Sequence, residues 1–588
     1  MSEQTKNITA ETEILGHPVG LFVQFFTEMW ERFSYYGMRA ILILFLITKV
    51  TDGGWGWERK EAYALYGWYV MLVYFLPMVG GWIADHKWGH VKTVIVGSLV
   101  ITSGHATMAI ADLQIGVDLT FLFYVGLLLI VLGTGLFKPN MSSIVGKMYT
   151  KRPEKKDSAY SIFYMGVNAG AFIGTLLVGW IAETFSWSWG FGLAGVFMLF
   201  GLLQFYFARD VFGKEASTPS LKNVDVNEEK TTKEVPFTQK DKILGIIAVV
   251  LAGVWVVEGV TSVVTRGYHF LPETFMGYNI SSGLVLFLIS LVVLITLGLS
   301  RLKRFEPIER DRLKAFFLIA FFVVFFWASF EQAGSTMTVF AKDYTSRTLS
   351  DTSAIIFKVI DFIISIGPML VLTWVIVKLA KAIYKKYKLT VLFTSISFLI
   401  IWALVIFRVY DKLMSTNLEV DVTWFQILNP LFIVSLAPLY SKFWERTNFS
   451  GPQKFFGGLT LLALGFLMLV IGASSIPAGA KTASVSMIWL LLAYLFHTMG
   501  ELSISPVGLS YVSKLAPARM MGFMFGIWYI FTGLANKTAG ILAEYSDSIA
   551  EESGLSGFFL IFTVIPFVAG LVILALNKKI KKLMHGIH

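Results

Sequence analysis

The sequence predicts an all-α polytopic membrane protein. Of its 588 residues, 55% are hydrophobic and only 15% are charged, and the mean hydropathy is +0.67. Apolar stretches long enough to cross a bilayer recur along the whole chain. Basic residues collect in alternate loops between those stretches. A soluble domain does not combine these features.

Apolar stretches of about 17 to 25 residues mark helices that can span the hydrocarbon core. The chain contains sixteen of them, at residues 21-48, 62-85, 92-112, 120-146, 158-182, 188-209, 241-263, 281-300, 313-341, 354-382, 389-410, 423-445, 455-473, 486-513, 519-545 and 556-577. We therefore predict sixteen membrane-spanning helices.

The basic loops predict how the chain is oriented. If both termini are cytoplasmic, loops such as "KMYTKRPEKKDS" and "SRLKRFEPIERDRLK" and the tail "NKKIKKLMHGIH" all lie inside. Roughly 35 Lys and Arg then lie inside against roughly 8 outside, which is the positive-inside bias of multispanning proteins. The net charge of +10 is therefore explained by the orientation of the chain in the membrane, and we expect no nucleic-acid partner.

Several chemistries are not expected. The chain has no cysteine, which excludes disulfides and thiol catalysis. Its eight histidines show no metal-ligand spacing such as HExxH. The sequence offers no Ser/His/Asp arrangement and no phosphate loop in a supporting context, and the amino terminus does not resemble a cleaved signal peptide. We expect no enzyme activity, no metal and no cofactor.

The spans divide into two groups of six with helix pairs inserted. A polar stretch at 214-242 reads as a cytoplasmic linker, and two six-helix bundles are typical of secondary transporters. The predicted parts are a cytoplasmic tail (1-20), a six-helix bundle (21-210), the linker with a helix pair (211-312), a second six-helix bundle (313-577) that contains an extra helix pair at 354-410, and a basic cytoplasmic tail (578-588).

The first span carries charges where lipid would be expected. At 100° per residue, the polar residues fall within an arc of about 100°, and Trp30 and Phe33 take the opposite, packing face. Glu28 and Arg32 have the spacing of an ion pair. Two interpretations are a packed cluster of buried ion pairs and a water-filled pathway, and the number of charges favours the pathway. The residues on this polar arc are Glu28, Glu31, Arg32, Tyr35 and Arg39.

Later spans carry isolated polar residues. A lysine near a helix end can simply extend to the membrane interface, and a single asparagine commonly joins helices. An intramembrane glutamate is more often functional. The residues concerned are Lys138, Asn168, Glu331, Asn429 and Glu501.

The stretch "EMWERFSYYG" (28-37) matches the ExxERFxYYG signature of the proton-dependent oligopeptide transporter (POT/PTR) family, within the major facilitator superfamily. The stretches "GTGLFKPNMSSIVG", "DSAYSIFYMGVNAGAFIG", "FWASFEQAGS", "WFQILNPLFI" and "GELSISPVGLSYVSKLAP" also resemble motifs of that family, in its order. The resemblance covers both six-helix halves but not 354-410. It is closest in kind to the bacterial di- and tripeptide transporters.

The resemblance implies a role for each matched residue. The residues that it implies in proton coupling are Glu28, Glu31, Arg32 and Glu331. It implies a gating salt bridge between the halves, formed by Lys138 and Glu501. The residues that it implies in substrate binding are Arg39, Tyr35, Tyr36, Tyr74, Lys138, Asn168, Trp327, Glu331, Asn429, Glu501, Ser505 and Trp528.

The sequence departs from the family in two places. Gly67 stands where mammalian members carry a histidine, so that proton site is missing. His497 is either a partner of Glu501 or, the interpretation we favour, a packing residue. The extra pair at 354-410 has no functional explanation, although Lys358 and Asp361 have the spacing of an ion pair.

We expect proton-coupled symport of di- and tripeptides into the cell by alternating access. The protein would lie in the bacterial inner membrane, with small peptides, protons and lipid as its partners and no obligate protein partner. Charges of both signs complement the two ends of a peptide. The alternatives are a transporter of another small anionic or zwitterionic solute, and a membrane sensor that binds peptide without transporting it.

Overall fold

The structure is a computed structural model that describes residues 12–112, 118–219, 235–276, 281–517 and 520–587. Every one of the sixteen predicted spans is helical. Within the described residues, fourteen helices are long and apolar enough to cross a membrane. The other two spans, Val19–Ile47 and Met521–Glu544, carry buried charges in mid-helix. The predicted all-α membrane fold is confirmed.

The first bundle contains the charged helix α1 at its centre. Helix α1 packs on α6 and α7, and α4 packs on α5. A Cβ atom at Gly97 would lie 2.8 Å from the Gly133 carbonyl oxygen, so the α4 and α5 backbones approach as closely as small residues allow. The helices are α1 (Val19–Ile47), α2 (Arg59–Phe75), α3 (Pro77–Ile83), α4 (His90–Ala111), α5 (Thr120–Met148), α6 (Lys156–Thr184), α7 (Trp187–Ala208) and the short α8 (Gly213–Ser217).

A helix pair follows the first bundle, as predicted for 241-300. Helices α9 (Gln239–Val264) and α10 (Ser282–Leu302) pack against each other, and α9 packs against α2. A capping box of Thr238 and Asp241 starts α9. Residues 220–234 of the predicted linker lie outside the described residues.

The second bundle has two helices that begin or break in 3-10 form. A 3-10 turn at Glu331–Gly334 separates α11 from α12, and another at Val422–Ile427 leads into α15. Helix α19 kinks at Gly554, whose φ is 72°. The helices are α11 (Pro307–Phe330), α12 (Thr336–Asp343), α15 (Leu428–Arg446), α16 (Gly451–Ala473), α17 (Ile488–Leu515), α18 (Met521–Glu544), α19 (Ser546–Ala575) and the short α20 (Asn577–Leu583).

The extra pair consists of α13 (Asp351–Ile383) and α14 (Lys388–Met414). It interrupts the second bundle in sequence, but α14 packs on α7 of the first bundle. Thr394 Oγ1 donates a 2.8 Å hydrogen bond to Gln204 Oε1 of α7, and Phe398 packs 5.6 Å from Trp30 of α1, centroid to centroid. The pair therefore packs on the first bundle, and it contacts the second through Trp424, which donates a 3.1 Å hydrogen bond to Asp361.

The predicted ion pair between Lys358 and Asp361 is wrong. Asp361 instead accepts two hydrogen bonds from Arg408 of α14, at 2.7 and 3.0 Å. Lys358 donates to the carbonyl oxygens of Leu413 and Ser415 at the end of α14. The buried Arg408 guanidinium presents two donors that match a carboxylate, which explains why Asp361 pairs across the helices.

Six strands of two residues each tie loops together. Glu13–Ile14 pairs antiparallel with His17–Pro18, and Thr348–Leu349 pairs antiparallel with Leu418–Glu419. Thr345–Ser346 runs parallel to Val485–Ser486.

The bundle has two ends, which we name by the described chain termini. At the terminal end, Glu13 bonds Arg152 near the start of α1, and His585 lies 3.2 Å from Asp311 at the start of α11. At the opposite, distal end, α1 finishes and α2 begins.

Candidate functional site

The charges of α1 form one buried cluster. Arg32 Nε lies 2.8 Å from Glu28 Oε1 and 3.0 Å from Glu31 Oε2. The exposed fractions of Glu28, Glu31 and Arg32 are 2%, 0% and 4%. The predicted pairing of Glu28 with Arg32 is confirmed. Glu31 Oε1 accepts no hydrogen bond, so this carboxylate is incompletely stabilised as an ion.

The opposite face of α1 packs as its periodicity predicts. Trp30 stacks on Phe197 of α7 with ring centroids 5.1 Å apart, and Phe33 lies 4.6 Å from the same ring. A Cβ atom at Gly37 would lie 2.6 Å from a Val178 methyl carbon of α6. The packing face therefore fixes the direction in which the charges point.

Arg39, two turns beyond the cluster, joins the two bundles. Its Nη2 atom lies 3.0 Å from Glu331 Oε2, and its guanidinium lies 5.6 Å from the centre of the Tyr36 ring. Glu331 begins the 3-10 turn that interrupts the second bundle's first span. The pair is thus formed at a helix break inside the membrane-spanning region, where irregular backbone usually lines a cavity.

The break itself depends on close packing. A Cβ atom at Gly334 would lie 1.9 Å from the Tyr66 hydroxyl oxygen, so a larger residue does not fit. The Gln332 side chain reaches α18, where its Nε2 atom donates a 2.9 Å hydrogen bond to the Ala539 carbonyl oxygen. These contacts fix the position of the Glu331 carboxylate.

A second carboxylate lies on α17. Glu501 Oε2 accepts a 2.8 Å hydrogen bond from Asn429 Nδ2 of α15. Asn429 also donates to Thr498 Oγ1 at 3.1 Å. The amide therefore orients the carboxylate, and both predicted residues are brought together.

Side chains from both bundles line one cavity between them, which is partly open to solvent and has a volume of about 130 Å³. Eight of the predicted substrate-binding residues line it: Tyr36, Arg39, Tyr74, Asn168, Trp327, Glu331, Asn429 and Glu501.

Four predicted substrate-binding residues do not line this cavity. Tyr35 is buried beside Tyr69, and Ser505 is half-buried without a hydrogen-bond partner. Trp528 is buried where Gly508 of α17 leaves room for its ring. Lys138 lies with Nζ 4.1 Å from the centre of the Tyr74 ring. Their binding roles stay predictions.

The predicted gate pair is separated in this structure. Lys138 and Glu501 form no ion pair with each other; Lys138 contacts Tyr74 and, at 5.7 Å, the Tyr529 ring, whereas Glu501 is held by Asn429. A bridge that closes one side of a transporter need exist only in one conformation. The bridge stays a prediction.

Sequence reasoning missed other lining residues. Tyr164 lies four residues before Asn168, and Gln426 three before Asn429, so helical spacing alone would have placed them on the same faces. Gln426 Nε2 donates 3.0 Å to Thr338 Oγ1. His497 also lines the cavity, but its ring packs 4.4 Å from the Phe466 ring and neither nitrogen has a hydrogen-bond partner. The packing interpretation of His497 is confirmed.

The distal end is sealed by contacts between the bundles. Arg59 of α2 lies 2.7 Å from Asp343 and 3.0 Å from Asp547 of the second bundle. On the other side of the molecule, Glu183 of α6 accepts backbone hydrogen bonds from Val422 and Thr423 at 2.9 and 3.0 Å. Arg59 at this end and Arg39 at the cavity therefore both form ion pairs that join the two bundles.

Two six-helix bundles that enclose a charged cavity and close it at one end define a secondary transporter. The family model described as the POT family matches residues 91–411 and 388–560. The chain belongs to the POT family, and it is a multi-pass membrane transporter rather than an enzyme.

Similar proteins cover nearly the whole chain. The chain is 32% identical over 575 residues to the uncharacterized transporter YclF of Bacillus subtilis (strain 168), covering 97% of this chain and 96% of YclF. It is 30% identical over 595 residues to the di-/tripeptide transporter of Lactococcus lactis subsp. cremoris, covering 99% of each. A crystal structure of a peptide transporter of this family in complex with sulfate has a TM-score of 0.69 and 28% identity, with 100% of both chains covered.

Proposed function

We propose that this protein is a proton-coupled symporter that carries di- and tripeptides into the cell by alternating access. The observation that carries the proposal is the cavity, where Arg39 from one bundle and Glu331 and Glu501 from the other face a single space. A peptide is dipolar, with a carboxylate at one end and an ammonium at the other. Charges of both signs complement its two ends.

The walls of the cavity support breadth of substrate. Aromatic rings from both bundles surround the charges, contributed by Tyr36, Tyr74, Tyr164, Trp327 and Tyr494. Such surfaces accept varied side chains because they impose shape without a fixed hydrogen-bond pattern. Specificity would then rest on the peptide backbone and its two termini.

Proton coupling is assigned to Glu28, Glu31, Arg32 and Glu331, with protons as the coupling ion and no other cofactor. A carboxylate beside an arginine stays ionised, and separating the pair during alternating access favours protonation because burial disfavours the lone charge. One proton crossing down 100 mV releases about 2.3 kcal/mol, and tenfold accumulation costs about 1.4 kcal/mol. One proton therefore supports roughly fortyfold accumulation without any pH difference.

The bacterial relatives and the basic loops support a place in the bacterial inner membrane, with lipid around the bundles and both termini cytoplasmic. In that orientation the distal end is the outer end, and the structure is closed to the outside. The names of the relatives from Lactococcus lactis and of the Yersinia peptide transporter YePEPT support a peptide substrate.

Uptake of labelled dialanine into proteoliposomes tests the proposal. With an imposed inward proton gradient, we expect accumulation above the external concentration, and with a protonophore only equilibration. Excess unlabelled dialanine should compete, whereas nitrate should not. Binding without accumulation would instead identify a sensor, and gradient-driven accumulation of nitrate without accumulation of dialanine would identify a transporter of another solute.

A further inference from the structure

A buried lysine lies away from the cavity, in the seam between the bundles. Lys537 is in the middle of α18, and the exposed fraction of its side chain is 8%. Its only carboxylate neighbour among the described residues is Glu544, two turns along α18, with Nζ and Oε1 3.6 Å apart and the Glu544 side chain 20% exposed. An unneeded charge at this depth would be costly, so a lysine here calls for an explanation.

The other partner of Lys537 belongs to the opposite bundle. Its Nζ atom lies 4.4 Å from the centre of the Trp68 ring of α2, a cation–π contact. Trp68 is held from behind by α9, because its ring lies 4.7 Å from that of Trp255 and a Cβ atom at Gly259 would lie 1.9 Å from it. The ring is therefore a fixed platform, and the contact depends on how close α18 lies to α2.

Helices α2 and α18 approach each other closely beside this lysine. A Cβ atom at Gly67 would lie 3.0 Å from the Gly540 Cα atom, and one at Gly540 would lie 2.7 Å from the Gly67 Cα atom. Opening the distal end requires the two bundles, and hence these two helices, to separate. Water then reaches Lys537, which is buried in the closed structure.

The other charges near the pair are few. Lys60, exposed at the start of α2, faces Glu544. On α9, Glu258 is bonded to His269 at 2.8 Å. Neither lines the contact between Lys537 and Trp68, so Glu544 supplies the compensating charge.

We propose that Lys537 and Glu544 set the balance between two conformations of the transporter, one with its distal end closed and one with its distal end open. The proposal rests on the proposed alternating-access function. The buried cation weakens the closed seam, since it is better solvated once the seam opens, and Glu544 partly offsets that penalty. Lys537 is a positioning residue, because it does not line the cavity.

This arrangement gives the two residues opposite effects. Replacing the lysine by the apolar Lys537→Met removes a buried charge and stabilises the closed seam. Glu544→Gln leaves the cation uncompensated and favours opening. The double variant has no charge to compensate and should behave like Lys537→Met. A purely structural pair would be damaged in the same direction by each change.

Pulsed electron paramagnetic resonance distances on the full chain test this. The chain has no native cysteine, so spin labels go to Thr51→Cys and Glu552→Cys, which are exposed at the distal end of the two bundles. In proteoliposomes without peptide or gradient, Glu544→Gln should raise the ratio of distal-open to distal-closed molecules about tenfold, equivalent to about 1.4 kcal/mol. Lys537→Met should lower it, alone and in the Glu544→Gln background.

Two variants serve as matched controls. Lys537→Arg keeps the charge and the ring contact, and Lys60→Met removes the exposed lysine that faces the same carboxylate; neither should shift the ratio. Shifts of Glu544→Gln and Lys537→Met in one direction, or no shift in Glu544→Gln, would overturn the proposal. If Lys537→Met does not fold, Lys537→Gln in the Glu544→Gln background decides. Because no peptide is present, these results are independent of whether dialanine is the substrate.

Discussion

The Arg39 Nη2 atom lies 3.0 Å from the Glu331 Oε2 atom, across the boundary between the two bundles. Both side chains line the cavity, so this ion pair stands where the charged ends of a peptide would arrive. In the proposed mechanism, a carboxylate of the substrate would compete with Glu331 for Arg39, and an ammonium would compete with Arg39 for Glu331. Substrate binding and contact between the bundles would then involve the same two groups.

Glu331→Gln should reduce gradient-driven dialanine uptake by at least about tenfold. The change leaves Arg39 without its carboxylate, and breaking a buried pair from one side costs about 3 to 5 kcal/mol, less where water reaches it. Initial uptake rates in proteoliposomes measure the effect. Glu552→Gln, an exposed carboxylate at the distal end, should leave uptake unchanged. Equal rates for Glu331→Gln and the unmodified protein would remove Glu331 from the mechanism.

Lys138→Ala should abolish concentrative uptake. If Lys138 and Glu501 meet when the terminal end closes, the substitution leaves Glu501 unpaired in a low-dielectric site, which is strongly unfavourable. The present structure holds the two apart, with Lys138 against Tyr74, so the variant should fold. Normal driven uptake by Lys138→Ala would exclude the bridge.

Glu31→Gln should lose gradient-driven uptake and keep peptide counterflow. Glu31 is fully buried beside Arg32 and does not line the cavity, so neutralising it removes a proton site without touching the pocket. Glu28→Gln should behave similarly or more mildly. Both assays on one purified preparation separate coupling from binding: loss of counterflow as well would indicate a pocket or folding role.

Much of the architecture follows from the sequence because hydropathy reports lipid directly. All sixteen predicted spans fall on helices, although α19 begins at Ser546 and not near 556, and the 100° spacing separated the charges of α1 from the packing face of Trp30 and Phe33. The packing position of α13 and α14 could not be predicted from the sequence, because in a membrane a lipid-facing surface and a packing surface are both apolar. The hydrogen-bond partner of α14 on α7 is Gln204, a single polar residue that no motif in the sequence marks.

The conformation of the protein and the pairing of residues on different helices could not be predicted from the sequence either. If Lys138 and Glu501 meet only when the terminal end closes, their separation in this structure could not be predicted, because a sequence does not specify one conformation. Asp361 pairs with Arg408 instead of the nearer Lys358 because helix packing, and not spacing along one helix, brings the guanidinium to it. The importance of Lys537 could not be predicted from the sequence, because it depends on the contact with Trp68 on another helix.

Replacing the α13 and α14 pair by a short polar linker should retain some peptide uptake. The cavity contains no residue from either helix among its described lining, although the surface of α7 around Gln204 would lose its cover. Protein stability and uptake should be measured together. A well-folded deletion variant without uptake would show that the pair takes part in transport.

In the proposed mechanism peptide and proton cross the membrane together, and a measurement that follows both at once tests this most directly. Proteoliposomes with a trapped pH dye and no imposed gradient are given external dialanine. We expect the lumen to acidify as labelled dialanine enters, with no acidification on adding free alanine and none in Glu31→Gln despite its intact counterflow. Entry of dialanine into liposomes of the unmodified protein without acidification of the lumen would contradict the account.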